Sequence, residues 1–430
     1  MNFIGVFIAI FVTIFISGCS LVPKFQKEGS ATLKYWGLWE SASTMNQIIS
    51  DYKKIKPNVD IVYEKKSPQQ YREALVNQTQ SGRGPDIFRF HNTWTPMLEN
   101  ILSPVPSSVV SQNEFKKNYY PTVINDLRNS KKDFVGVPLE IDGLALYWNE
   151  DIFNAAGITK APTTWQELSQ AAIKLTVRDT AGNIKTAGIA LGTTANVDHF
   201  SDILGLMILQ NGGDLKLPTD KASTDALEYY TNFAKGENRV WDETMPSSTI
   251  AFVGGNLAMY FGPSWRAIEI KNANPLLKFK VSLIPQLEGG RVAWASYWVE
   301  GVSEKSANKD EAWEFVKYLQ QEETLIKLYS EAAKSPGRFF GEPYPKISMA
   351  AKLAADPIIG AYIADAPYMR SFPMASRTFD NGLNDQIIKA YEDAVNSVAR
   401  GGSAKGSLDT ASKNIAAILV RFTSSPPKQQ

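Results

Sequence analysis

The chain has 430 residues, with 45 Lys plus Arg against 44 Asp plus Glu, one cysteine and two histidines. This balance removes the electrostatic case for binding nucleic acid or an anionic membrane surface. The lone Cys19 excludes disulfides, and with His91 and His199 it makes too small a set for a His/Cys metal site.

The first element is an uncharged apolar run, Phe3 to Ile16. As a helix it would span roughly 21 Å against about 30 Å of hydrocarbon, short for a membrane span and right for the core of an export signal. Small residues, Ser17 and Gly18, lead into Cys19. Ile16-Ser17-Gly18-Cys19 resembles the bacterial lipoprotein signal, in which the thiol is lipidated and the chain is cut just before it. The resemblance implies a signal peptide over 1–18 and a polar tether over 19–30. Ile16 stands where leucine is commonest, and no Lys or Arg precedes the run. An uncleaved anchor helix is therefore the alternative. Either way the body lies outside a membrane. No second apolar run reaches 18 residues, so the remainder reads as soluble. At about 410 residues it exceeds one ordinary core, and two domains are expected.

"ATLKYWG" alternates as a strand, "STMNQIISDYKKIKP" is amphipathic, and "VDIVYE" is a second strand. Residues 67–91 repeat helix, "SGRGP" turn and strand. This succession predicts a parallel α/β sheet, with ligands beyond the carboxyl ends of its strands. That rule selects the loops 38–41 and 91–95. In "APTTWQEL", Thr163 or Thr164 with Glu167 forms a capping-box start. Helices are predicted over 201–211, 222–235 and 247–257, and strands at "LAMYF" and "KFKVSLIP". A further helical stretch carries Trp313, Val316 and Leu319 at helical spacing. Two closing helices follow, and 426–430 reads as a disordered tail. Trp36, Trp39, Trp94, Trp148, Trp265, Trp294 and Trp298 lie in turn-like contexts, where an indole often lines a cleft. The alternative is that large rings fill the space between two lobes.

The ordered series "YWGLWE", "GRGPDIFRF", "GVPLEIDGLALYWNEDIFNAAGITKAPTTWQEL", "GNLAMYFGPSW" and "SANKDEAWEFVKYL" resembles the family-1 extracellular solute-binding proteins. These are the substrate-capturing lipoproteins of ABC-type sugar importers, similar to the maltodextrin- and glycerophosphodiester-binding members. The resemblance implies a two-lobed, periplasmic-binding-protein-like class II α/β fold. Each lobe is a mainly parallel sheet flanked by helices, with the ligand in the cleft between them. Carried over, the first lobe spans 31–142 and 296–345 and the second 143–295 and 346–425, with the first crossing near Asp142-Gly143. The implied function is capture of a mono- or oligosaccharide and delivery to an ABC permease, without catalysis, cofactor or metal. The chain is then a monomer outside the cytoplasm, tethered through Cys19, with a sugar and permease subunits as partners.

Sugars present hydroxyl rims and C–H faces, so a binder needs carboxylates, amides and Arg for the rims and aromatic planes for the faces. On this basis Trp39, Glu40, Asn92, Trp94, Asp142, Trp265, Tyr297, Trp298 and Arg338 are the candidate ligand-binding residues. Each has a plainer role open to it. Glu40 can cap a helix, Asn92 can hold its own turn, Trp94 can be core, Asp142 can pair with an Arg, and Arg338 can bind a carbonyl. Tyr297 and Trp298 cannot both face a cleft from an extended segment, and Trp298 is preferred. Asp86 reads as structural. A glycerol-phosphate ester or polyol is the runner-up ligand, but phosphate needs a cationic cleft, and Arg89, Arg338 and Arg377 are the only candidates. A sensor subunit of the same fold is a further alternative. A secreted glycoside hydrolase would need paired carboxylates, with Glu40 and Asp142 as the available pair, about 5–5.5 Å or 6.5–9.5 Å apart.

Overall fold

Two five-stranded sheets organise the computed structural model, which describes residues 30–423. The expected signal segment with Cys19, nearly all of the tether and the tail 426–430 lie outside the described residues. The strands are β1 (Ala31–Gly37), β2 (Val59–Lys65), β3 (Ile87–His91), β4 (Val137–Pro138), β5 (Ala145–Asn149) and β6 (Val177–Arg178). They continue with β7 (Ile184–Ile189), β8 (Leu257–Gly262), β9 (Phe279–Ser282), β10 (Ala293–Trp294), β11 (Trp298–Val302) and β12 (Met369–Arg370). The first sheet has the order β2-β1-β3-β11-β4 and the second β6-β7-β8-β5-β9, with a small β10-β12 ribbon.

Local sequence explains the first sheet. In β1, Leu33 and Tyr35 face the core while Thr32 and Lys34 face solvent. The following helix, Ala42–Ile55, is capped by Ser41, whose Oγ accepts from the Thr44 N–H at 3.1 Å. It buries Met45, Ile48 and Tyr52 at helical spacing. β3 is buried along its whole length, as a strand flanked on both sides should be. Asp86 is structural: its carboxylate accepts from the Lys34 N–H at 2.8 Å and from Ser306 Oγ at 2.5 Å.

The expectation of mainly parallel sheets holds for β2-β1-β3 and for β7-β8. Elsewhere the sheets are mixed. β11 runs antiparallel to both β3 and β4, and β5 antiparallel to both β8 and β9. The reason is connectivity: the chain leaves the first sheet after β4 and re-enters it through β11, so the inserted strands need not follow βαβ crossovers.

The predicted helices appear as Phe200–Gln210, Lys221–Asn232 and Ser248–Val253. Thr164, not Thr163, is the cap of Trp165–Leu175, and it forms the reciprocal box with Glu167. The long helical stretch after residue 306 is two helices, Lys309–Leu319 and Glu322–Ala333. Gln320 breaks it: its side chain is drawn inward to accept from Tyr119 Oη at 2.8 Å and to donate to the Val109 carbonyl at 3.2 Å.

Between the sheets the chain crosses side by side with itself. The Ser296 N–H donates to Asp142 O at 2.9 Å, and Gly143 bridges Ala295 in antiparallel fashion. A Cβ on Gly143 would stand 1.8 Å from the Trp294 carbonyl oxygen. The contact is with backbone and cannot be relieved by a rotamer. Gly143→Ala is therefore expected to destabilise the protein by about 1–3 kcal/mol or more. Denaturant unfolding measures this, and an unchanged midpoint would show that the crossing strands part freely.

Candidate ligand-binding cleft

A cavity of about 360 Å³ opens between the two sheets, within the 300–1,000 Å³ range of small-molecule sites. The first sheet contributes Trp39 from the loop after β1, His91 at the end of β3, Glu140 and Asp142 beyond β4, and Trp298 at the start of β11. The second side contributes Trp265 after β8, Trp294 on β10, and His199 and Asp202 around the start of Phe200–Gln210. Arg338 and Glu342 close one edge, and the segment from Ser376 to Phe379 another. The loops 38–41 and 91–95 selected by the strand-end rule place Trp39 and His91 on the wall of this cavity.

Trp298 is the hub of an aromatic cluster. Its ring meets Trp39 edge-on at 5.3 Å, His91 at 5.0 Å and Trp94 at 5.4 Å. Its backbone N–H donates to Glu140 Oε1 at 2.9 Å. On the other side, Trp265 opens the helix Trp265–Ala273 with the Arg266 guanidinium 4.4 Å over its ring. Trp294 is fully buried, and its Nε1–H donates to Asp202 Oδ1 at 2.8 Å. Gly205 makes room for it, since a Cβ there would lie 2.7 Å from the indole.

Of the candidate residues, Trp39, Asp142, Trp265, Trp298 and Arg338 line this cavity, whereas Glu40, Asn92, Trp94 and Tyr297 do not. Glu40 turns inward and is ion-paired with buried Arg89, which also donates to Glu300 Oε1 at 2.7 Å. Asn92 holds its own turn: Nδ2 donates to Asp126 at 2.9 Å and Oδ1 accepts from the Tyr297 N–H at 3.2 Å. Trp94 is core and backs the Trp298 ring. Tyr297 alternates away from the cleft, and its hydroxyl donates to Asp126 at 2.9 Å. Arg338 has both roles open to it, for it lines the cavity and pairs with Glu342 at 2.6 Å. Glu40 is committed to Arg89 and does not line this cavity beside Asp142.

Sequence reasoning did not select Glu140, His199, Asp202 or Glu342 for the site; His91 lay in the selected loop 91–95, Trp294 was grouped with the turn-context tryptophans, and of the segment 376–379 only Arg377 was weighed, as a cation for a phosphate ligand. That segment ties the two sides together. The Ser376 N–H donates to Asp202 Oδ2 at 3.1 Å, Ser376 Oγ meets His199 Nδ1 at 2.8 Å, and Arg377 pairs with Asp198 at 2.9 Å. A few residues on, Arg72 Nε donates to the Asp380 carbonyl at 2.6 Å. Arg377, Phe379 and Asn381 all hold positive φ, at 58°, 54° and 45°. Such left-handed backbone is costly outside glycine and clusters where ligands are clamped. "RTFDNG" does contain the Asn-Gly turn signal, but nothing in it marks Arg377 and Phe379.

The carboxyl groups of the cleft are perturbed by their burial. Burial pushes Asp142 up to about 7, opposed by hydrogen bonds from the Gly143 N–H and from Ser264. Burial raises Asp202 to about 6, opposed by Ser376. It also drives Glu140 well above the usual range, reinforced by the charge of Glu342. His91 is pushed down to about 3 by burial. His199 falls well below its ordinary value through burial and the nearby Arg266, whose Nε–H donates to its Nε2 at 3.0 Å. A raised carboxyl pKa gives stability that is fully present below about pH 4 and is lost as pH rises through the folded-state value. For Asp142, moving from 3.8 to about 7 corresponds to a loss on the order of 4 kcal/mol across pH 4 to 7. The wild type is therefore expected to lose stability relative to Asp142→Asn over that window. Urea unfolding at both ends of it provides the test, and parallel profiles would refute a strained Asp142.

The model of the bacterial extracellular solute-binding proteins matches residues 36–325. The chain belongs to this family. A Brucella abortus (strain 2308) protein described as a binding protein is 24% identical over 264 residues, covering 60% of this chain and 63% of the relative. The match thus spans less than two thirds of that relative's length. A Thermotoga lettingae ABC transporter solute-binding protein, solved with alpha-D-tagatose, superposes with a TM-score of 0.70 at 23% identity. That superposition covers 91% of this chain and 100% of the other. The sugar-binding protein MalE of Xanthomonas citri superposes with a TM-score of 0.73 at 18% identity, over 91% and 98% of the two chains. These solute-binding proteins share the two-sheet fold, and the matched family is one of solute binding. Among the described residues no helix is long and apolar enough to cross a membrane.

Proposed function

We propose that this solute-binding protein captures a carbohydrate in the cleft and delivers it to an ABC permease, acting as a monomer and catalysing nothing. One observation carries the reading: Trp39, Trp265, Trp294 and Trp298 line the same cavity as Glu140, Asp142 and Asp202. Indole faces suit the C–H faces of pyranose rings, and carboxylates suit hydroxyl rims. The tagatose-bound neighbour supports the ligand class. A phosphate ester fits less well, because Arg338 and Arg377 are committed to Glu342 and Asp198, and Arg89 to Glu40 and Glu300. Isothermal calorimetry against a panel of mono- and oligosaccharides, with glycerol-phosphate esters beside them, tests the reading. A panel in which no sugar binds, or in which a phosphate ester binds best, overturns it.

The proposal includes anchorage outside the cytoplasm through a lipid on Cys19. Two or more acyl chains hold a protein stably to a bilayer where one does not. Cys19→Ala is therefore expected to move the protein from the membrane fraction to the soluble extracytoplasmic fraction while leaving sugar affinity unchanged. Fractionation followed by calorimetry measures both. Retention in the membrane would assign the anchor to the apolar run of residues 3–16 instead.

A further inference from the structure

The charge of the cleft is lopsided. Five carboxyl groups line it, on Glu140, Asp142, Asp202, Glu269 and Glu342, against the two guanidinium groups of Arg338 and Arg377. Arg338 is paired with Glu342 at 2.6 Å, Arg377 with Asp198 at 2.9 Å, and Glu269 with Arg266 at 2.6 Å. That leaves Glu140, Asp142 and Asp202, all buried and none in an ion pair with a Lys or Arg among the described residues, with Arg89 and Arg338 near enough to act on Glu140 through space. His199 lies 3.9 Å from Asp202, but its Nε2 accepts from Arg266, which makes it the neutral tautomer. An uncompensated carboxylate in an apolar wall is costly, and burial accordingly favours the protonated form of all three groups until a cation comes beside them.

The three carboxyl groups also share a placement. Glu140 accepts from the Trp298 backbone N–H at 2.9 Å, and Asp202 accepts from the Trp294 Nε1–H at 2.8 Å. Asp142 accepts from Ser264 Oγ at 2.8 Å, one residue before Trp265. Each is thus tied to a cavity tryptophan or to its neighbour in the chain. A cavity lined by both carboxyl groups and indoles offers an ammonium group charge-assisted hydrogen bonds and, over a free ring face, cation–π attraction.

We propose that the preferred ligand is a sugar bearing a protonated amine, an amino sugar with a free ammonium group, which places a cation beside these carboxyl groups. This rests on the carbohydrate reading and narrows it. A neutral sugar adds only hydroxyl donors to the hydrogen bonds these groups already accept from the protein, whereas an ammonium offers three donors and a full charge at one position.

Matched ligand sets test this by isothermal calorimetry on the mature protein. Each set holds a hexosamine, its N-acetyl form and the parent hexose, in gluco and galacto configurations, as monosaccharides and as β-1,4-linked disaccharides. Titrations are run at about pH 6, where such an amine is protonated. The expected result is that in the best-binding set the free amine binds at least about ten-fold tighter than both neutral forms, a difference of about 1.4 kcal/mol. In Glu140→Gln and Asp202→Asn the ratio of amine to hexose affinity is expected to fall towards one. If the hexose or N-acetyl form binds as tightly as the amine or tighter, the amine proposal is overturned and the carbohydrate reading stands. If no sugar of any set binds, both are overturned.

Discussion

Trp265→Ala is expected to weaken sugar binding by about 2–4 kcal/mol, roughly 30- to 1,000-fold in Kd, the sum of a buried aromatic face and its stacking preference. The geometry makes this ring the most informative of the four. Arg266 lies 4.4 Å over the Trp265 ring, and His199 meets it edge-on at 5.9 Å, so the indole is held in place from within the protein. The ring lines the cavity and is only partly buried. Truncation should therefore cost affinity and little stability. Trp265→Phe keeps a plane at the same position and should recover a large part of the loss. Calorimetry with the best ligand of the sugar panel gives the affinity, and thermal unfolding gives the control. Wild-type affinity in Trp265→Ala would remove this tryptophan from the site.

Arg89→Leu is expected to cost about 3–5 kcal/mol of folding stability, because it strands two buried carboxylates. Arg89 is 1% exposed and stands between Glu40 and Glu300, which are 9% and 0% exposed. Glu300 is its cross-strand partner in the β3–β11 register, and Tyr35 Oη donates to the same Oε1 at 2.7 Å. The second oxygen, Oε2, has no hydrogen-bond partner, so the arginine is its nearest electrostatic compensation. Removing all three charges together, as in Arg89→Leu with Glu40→Gln and Glu300→Gln, should recover much of the loss, since a matched neutral set avoids the desolvation cost. Urea unfolding of the single and triple variants decides this. A single variant with an unaltered midpoint, or a triple variant no better than the single, would contradict the view of Arg89 as a charge clamp.

This cluster also shows why Glu40 misled the sequence reading. A carboxylate just after the first strand is well placed for a ligand. Arg89 was identifiable only as one of several cations. Their pairing depends on β11 lying beside β3, a contact between residues 211 positions apart. Asn92 and Trp94 sit in the correct loop for the same reason that His91 does. Which residue of that loop faces the cavity depends on the turn Asn92–Trp94, whose first residue is held by Asp126 and by the Tyr297 backbone. The preference for Trp298 over Tyr297 was decidable in advance because alternation along a strand is a local rule.

Local chemistry determined the elements of this protein. Alternation set β1, helical spacing and Ser41 set the helix after it, and the Thr164–Glu167 box set a helix start. Motif order determined the family and with it the two-sheet plan, and turn-context tryptophans pointed to aromatic lining. Each of these depends on residues close in the chain, where steric and hydrogen-bonding preferences act without knowledge of the whole. The identity of the cleft wall was decided by tertiary structure alone. Glu140, Asp202, Trp294 and the left-handed turn around Arg377 come from four separated segments. They meet only because the chain passes repeatedly between the two sides and the segment 376–379 is held there by Asp198, His199 and Asp202. Burial at that junction turns ordinary acidic side chains into unpaired carboxyl groups, a property no single stretch of sequence carries.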